Sequence, residues 1–153
     1  MPTSPLLSPA PDVERPGAIV VLFEQLKFED VAQLGRWYSE DCYFKDPFNE
    51  VYDLAGTQRV FAHMFHTLLE PRFIVLDVVA HGDQCFLTWD FMFRLKSRPL
   101  ELQRIHGSSH LRWGANGRVT YHRDYWDAAE QFYEKVPLLG AVMRWIKRRL
   151  HAS

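Results

Sequence analysis

The sequence predicts an α+β domain shaped as a cone: a curved antiparallel sheet closed by N-terminal helices around a pocket, with extra C-terminal helices. Three observations carry this expectation. Apolar residues recur at helical spacing through the first 69 residues. From Phe73 onward the period changes to strand alternation, in four runs separated by short turns. Aromatic residues make up 14% of the chain, as 11 Phe, 6 Tyr and 5 Trp. That is more than a core of this size needs, and it suits an apolar pocket lined by flat rings.

The elements follow in order. Residues 1–15 form part of a stretch, MPTSPLLSPAPDVERP, that holds five of the nine prolines. It lacks a basic start followed by an apolar run, so it reads as a flexible arm and not as a signal peptide. Pro16 suits the first turn of a helix, and Ile19, Leu22, Phe23 and Leu26 give that helix one apolar stripe. A short second helix spans Phe28 to Trp37, with Glu29 and Asp30 in its first turn. A short strand, Cys42 to Asp46, stops at Pro47. The third helix runs from Ala55 to Leu69 with Val60, Phe61, Met64, Phe65 and Leu68 as its stripe, and Pro71 ends it. Four strands come next: Phe73 to Ala80, Gln84 to Leu95, Leu100 to Trp113 and Arg118 to Trp126. Gly114-Ala115-Asn116-Gly117 carries an Asn-Gly hairpin signal, and short turns between consecutive strands imply an antiparallel meander. Ala128 to Lys135 and a last helix from Pro137 to about Leu150 are helical again. One domain is expected over residues 16–127, with residues 128–153 as its helical extension.

Composition excludes several function classes. A formal net charge of −1 argues against a nucleic-acid binder, whose affinity would rest on phosphate contacts. Cys42 and Cys85 lie in apolar runs and in no CxxC pair, so a thiolate zinc site is unsupported. They read as buried free thiols of a reducing compartment. No segment is apolar for long enough to cross a membrane. The expected location is the cytoplasm.

The order of elements resembles the nuclear-transport-factor-2-like superfamily, which includes ketosteroid isomerases, scytalone dehydratases and SnoaL-like polyketide cyclases. Two motifs carry the resemblance. YFKDP, Tyr43 to Pro47, is similar to the Asp-Pro that closes the first strand of ketosteroid isomerases, and GRVTYHRDYWD, Gly117 to Asp127, is similar to the last strand of SnoaL-like proteins. The resemblance implies that Asp46 stands at the isomerase's general-base position. It also implies a dimer formed through the outer face of the sheet. Counted without gaps, the isomerase's two oxyanion donors fall at Leu22 and near Ser109. A hydrocarbon and a hydroxyl thus replace a tyrosine and a protonated aspartate, a pair whose use in that enzyme is a known worked case. Steroid isomerase activity itself is therefore not expected.

The residues suggest an acid/base group of Asp46, His122 and Asp124. Asp46 shares a strand face with Cys42 and Phe44, where a carboxylate would be partly desolvated. His122 and Asp124 share a face of the last strand with Trp126, their Cα atoms about 6.5–7 Å apart. At that spacing they are expected to line one wall without bonding each other. Phe44, Phe61, Phe65, Trp89, Phe91, Ser109 and Trp126 are the expected ligand-binding residues. His106 and His110 lie about 13 Å apart on one strand, too far to grip one metal, so no metal site is expected. Asp90, inside TWDFMF, is expected to pair across the sheet with Arg112 or a histidine. His63 and His66 are expected at the surface.

Two functions fit these residues. One is a cofactor-independent isomerase, cyclase or lyase acting on an apolar, carbonyl-bearing substrate. The other is a non-catalytic module that binds a lipid-like or aromatic ligand. The last helix, LLGAVMRWIKRRLH, pairs an apolar stripe with Arg144, Lys147, Arg148 and Arg149. It is expected to cap the pocket rim with Leu139, Val142, Met143 and Ile146 rather than to lie on an anionic membrane.

Overall fold

The protein is described here by a computed structural model covering residues 15–131 and 137–150. The expected arm lies outside the described residues except for Arg15, which opens the first helix. The elements are α1 (Arg15–Gln25), α2 (Phe28–Val31), β1 (Tyr38–Lys45), β2 (Glu50–Val51), α3 (Leu54–Thr67), β3 (Leu68–His81), β4 (Gln84–Leu95), β5 (Arg98–Trp113), β6 (Val119–Tyr125), α4 (Ala128–Gln131) and α5 (Pro137–Leu150). The strands make one curved, open sheet in the order β2-β1-β6-β5-β4-β3. β3 to β6 form the antiparallel meander that the alternation implies, while β1 lies parallel to β6. Gly82 and Gly117 take the positive φ angles, 60° and 76°, that the turns before β4 and β6 require.

Four elements depart from the sequence reading. The helix expected over Phe28 to Trp37 is broken into α2 and a 3₁₀ turn at Leu34–Arg36, because the chain joins the sheet early. The Trp37 carbonyl already accepts from the Val119 N–H at 2.7 Å, so β1 begins at Tyr38, four residues before the expected strand. Pro71 does not end α3, which stops at Thr67. Pro71 lies inside β3, at the sheet edge, where pairing with β4 is interrupted between Leu69 and Arg72 and its missing N–H leaves no ladder bond unmade. Finally, α5 does not cap a pocket rim. Leu139, Val142 and Ile146 remain 42%, 48% and 38% exposed, and Met143 does not line the apolar cavity behind α3.

The inner face of the sheet packs against α1 and α3. Cys85, Leu87, Trp89, Phe91 and Phe93 of β4 alternate inward and meet Ile105, Leu111 and Trp113 of β5 and Ile19, Leu22 and Phe23 of α1. Both cysteines are buried and free, and burial pushes the Cys85 thiol up to about 12. Gly107 faces Trp89 across the β4–β5 ladder, and a Cβ there would sit 2.4 Å from the indole ring. Gly107→Ala should therefore displace Trp89 and cost about 1–3 kcal/mol, read as a lower urea midpoint. An unchanged midpoint would mean that the indole has room to move.

The outer face carries an aromatic ladder. Tyr52, just past β2, then Tyr43, Tyr121, His110 and Phe86 of β1, β6, β5 and β4 follow one another with ring centroids 5.4, 5.2, 5.2 and 4.2 Å apart. Arg112 lies over Tyr121 and does not reach Asp90. Asp90 instead pairs with His106 at 2.9 Å, as the sequence allows, and with Arg104 at 3.6 Å. Burial, with Arg112 nearby, holds the His110 imidazole below its ordinary pKa.

Candidate functional site

A cavity of about 370 Å³ lies between α3 and the inner face of the sheet. Its wall is mostly hydrocarbon and ring: Val60, Phe61, Met64, Leu68, Phe73, Trp89, Phe91, Phe93, Leu95 and Ile105. Polar side chains enter at one end, from Asp46, Asn49 and Asp124 beside Phe44, Phe48 and Trp126. His63 and Thr67 add two more on α3, and His63 and His66 are otherwise exposed, as expected. A second, more open groove of about 520 Å³ is lined by Asp46, Asp124 and Trp126 together with Lys45 and Arg123, so Asp124 borders both spaces.

The site is set by a buried chain of hydrogen bonds. The Tyr38 hydroxyl lies 2.8 Å from His122 Nδ1, and His122 Nε2 lies 2.7 Å from Asp124 Oδ1. The Ser109 hydroxyl donates to the same carboxylate oxygen at 2.5 Å, and the Trp89 indole N–H donates to Ser109 Oγ at 2.8 Å. The roles follow from the number of protons available. Burial, with Asp124 next in effect, pushes the Tyr38 pKa well above its ordinary value, so the phenol keeps its proton; Asp124 Oδ1 is the acceptor for the imidazole N–H, which leaves Nδ1 of the neutral ring to accept from the phenol. The imidazole proton then sits on Nε2 and points at the carboxylate. Both donors converge on Oδ1, and among the described residues nothing bonds Oδ2. His122 is 2% exposed and Asp124 14%, so this is an ionisable pair at the wall of an apolar space.

The sequence expected His122 and Asp124 to line a wall without touching, and the structure corrects this. Two side chains on one strand face can close the Cα spacing when a long imidazole leans toward a short carboxylate. Tyr38 was missed because the sequence reading ended a helix at Trp37. Its signal is the inward set Tyr38, Cys42 and Phe44, whose period is broken by the register shift between Tyr38 and Tyr43. Of the expected lining residues, Phe44, Phe61, Trp89, Phe91 and Trp126 are in the cavity wall. Phe65 is not; it packs edge-on against Phe28 at 6.3 Å. Ser109 is also out of the wall, buried behind it and bonded to Asp124. Leu22 belongs to the core.

Asp46 is at the cavity mouth, but its carboxylate is committed to its own turn. Oδ1 accepts from the Phe48 and Asn49 backbone N–H groups, both at 2.7 Å, and the Asn49 side-chain amide reaches both oxygens. Among the described residues no group of three or more His, Cys, Asp or Glu is arranged to hold a metal ion.

The comparisons agree with this geometry at the level of fold. A family model described as a SnoaL-like domain matches residues 21–122. No curated protein matches the chain. Similar solved structures include a hypothetical protein of ketosteroid isomerase-like fold from Catenulispora acidiphila in complex with trimethylamine, at 13% identity and TM-score 0.65 over 77% of this chain and 88% of that one. An LEH-like epoxide hydrolase from M. tuberculosis is similar at 16% identity and TM-score 0.66, over 87% and 97% of the two chains. A candidate SnoaL-like polyketide cyclase from Jannaschia sp. matches at 13% identity and TM-score 0.66, over 85% and 93%.

Proposed function

This chain belongs to the SnoaL-like domain family, and on that premise we propose that it is a cofactor-independent isomerase, cyclase or lyase moving protons on an apolar, carbonyl-bearing substrate. The observation that carries this reading is Asp124, a carboxylate at the end of an apolar cavity, with one oxygen held by His122 and Ser109 and the other unbonded among the described residues. In the proposed step Asp124 Oδ2 takes a proton from the carbon beside the carbonyl, and the C–H electron pair moves into an enolate. The protonated carboxylate trades its proton with solvent through the open groove that Asp124 also borders, and the same oxygen returns a proton to the substrate, so the step balances with no further reactant. His122 acts as a positioning residue, with Tyr38 fixing its tautomer. Asp46 shapes the mouth through its turn, and Phe44, Phe61, Trp89, Phe91 and Trp126 hold the apolar part of the substrate. Names among the structural neighbours, an epoxide hydrolase and a candidate polyketide cyclase, support the catalytic arm.

The test is solvent-deuterium exchange. Apolar ketones incubated with the protein in D₂O should gain deuterium beside the carbonyl, measured by mass spectrometry, and an apolar ligand filling the cavity should slow the gain. No exchange across the panel would overturn the reading. One observation favours a second reading, a binding module for a lipid-like or aromatic ligand. Leu22 and Ser109, where the isomerase's oxyanion donors would stand, do not line the cavity. A copurifying apolar ligand without exchange is the result that would select it.

We further propose that the protein works in the cytoplasm as a homodimer joined through the aromatic ladder of the outer face. Phe86 and Tyr52, at the two ends of the ladder, are 48% and 69% exposed, and such rings are costly to leave in water. Light scattering should give twice 18.0 kDa, and a monomer at high micromolar concentration would overturn the dimer.

A further inference from the structure

Helix α5 turns its apolar side outward. Leu139, Val142, Trp145, Ile146 and Leu150 fall within one arc at helical spacing, and all are between 38% and 79% exposed. Gly140 lies on the far side of the helix and is the one buried residue among positions 139–150. This inverts the usual arrangement, in which an amphipathic helix buries its stripe in the domain that carries it. The polar arc is wholly cationic. Arg144, Lys147 and Arg148 occupy it, and Arg149 lies over the Trp145 ring at 5.1 Å. The helix holds 4 of the chain's 18 basic residues and none of its 19 acidic ones, so the remainder of the chain is net acidic.

That distribution selects the occupant. Pairing α5 with α5 of a second copy would bring together two helices that each carry four cations and no acidic residue. An anionic lipid surface offers acyl chains to the stripe, phosphate to the cations, and the interfacial depth that an indole with a polar N–H prefers. At 14 residues the helix is about 21 Å long, too short to span a bilayer, and no helix among the described residues is long and apolar enough to cross a membrane. We propose that α5 is an interfacial anchor that lies in the plane of an anionic membrane surface with Leu139, Val142, Ile146 and Leu150 inserted.

Vesicle flotation of the full chain tests this. The protein should float with vesicles of phosphatidylcholine mixed with phosphatidylglycerol, should release at high salt, and should stay behind with phosphatidylcholine alone. Ile146→Asp should weaken binding about tenfold or more through the lost apolar insertion. Arg148→Gln combined with Arg149→Gln should weaken it to a similar degree through the lost charge, and this pair of exposed changes keeps the test valid if Ile146→Asp disturbs the helix. No flotation with anionic vesicles overturns the proposal, as does equal flotation with neutral ones. Ile146→Asp converting a dimer to a monomer, with no vesicle binding by the parent, would assign the stripe to a subunit contact instead.

Discussion

Asp124→Asn should lower the rate of ketone proton exchange by about 10²–10⁴-fold, the range that a positioned acid/base group contributes. The substitution is close to isosteric. The amide oxygen can still accept from His122 Nε2 and Ser109 Oγ, so the melting temperature and the affinity for an apolar ligand should change little. What disappears is the ability of the outer atom to take a proton. Asp46→Asn is the matched control, because Asp46 borders the same cavity. Its oxygens already accept from Phe48 and Asn49, so its removal should loosen the turn and leave exchange within a few-fold of the parent. The opposite pattern, with exchange lost in Asp46→Asn and kept in Asp124→Asn, would return the base to the position that the isomerase resemblance implies.

The contrast between these two carboxylates shows what the sequence could and could not carry. The meander from β3 to β6 was legible because period-2 alternation and turn glycines are local signals: Gly82 and Gly117 stand where the turns need positive φ. The inward placing of Phe44, Trp89, His122 and Asp124 followed from the same alternation. The use of each polar group was not legible, because it depends on what arrives from elsewhere in the chain. Asp46 and Asp124 look like equal candidates for the base until Asn49 folds back on the first, and Ser109 from β5 and His122 converge on one oxygen of the second. Tyr38 lies 84 residues from His122, and no local pattern announces that contact. The outward face of α5 was misjudged for the same reason. An amphipathic pattern states that a stripe needs cover, and the partner that covers it is not written in the pattern.

His122→Leu should destabilise the protein by about 3–5 kcal/mol, the cost of removing one partner from a buried polar pair. The leucine would fill much of the space among Phe23, Phe44 and Phe61, whose rings lie 5.5, 4.8 and 6.4 Å from the imidazole, so the loss is mainly polar. Two groups are stranded. The Tyr38 hydroxyl, on a residue with no exposed surface, loses its only partner among the described residues, and Asp124 loses one of two donors. An orphaned buried hydroxyl alone costs about 1–3 kcal/mol. Tyr38→Phe removes that orphan, so the double variant should be more stable than the sum of the single changes by about 1–2 kcal/mol. Urea denaturation of the four proteins reads this coupling directly. Strict additivity would mean that Tyr38 and His122 act independently, and the tautomer assigned to the imidazole would then lose its support. Coupling in stability, with exchange slowed in Tyr38→Phe while its affinity for an apolar ligand holds, would show that the phenol acts on Asp124 through the ring of His122.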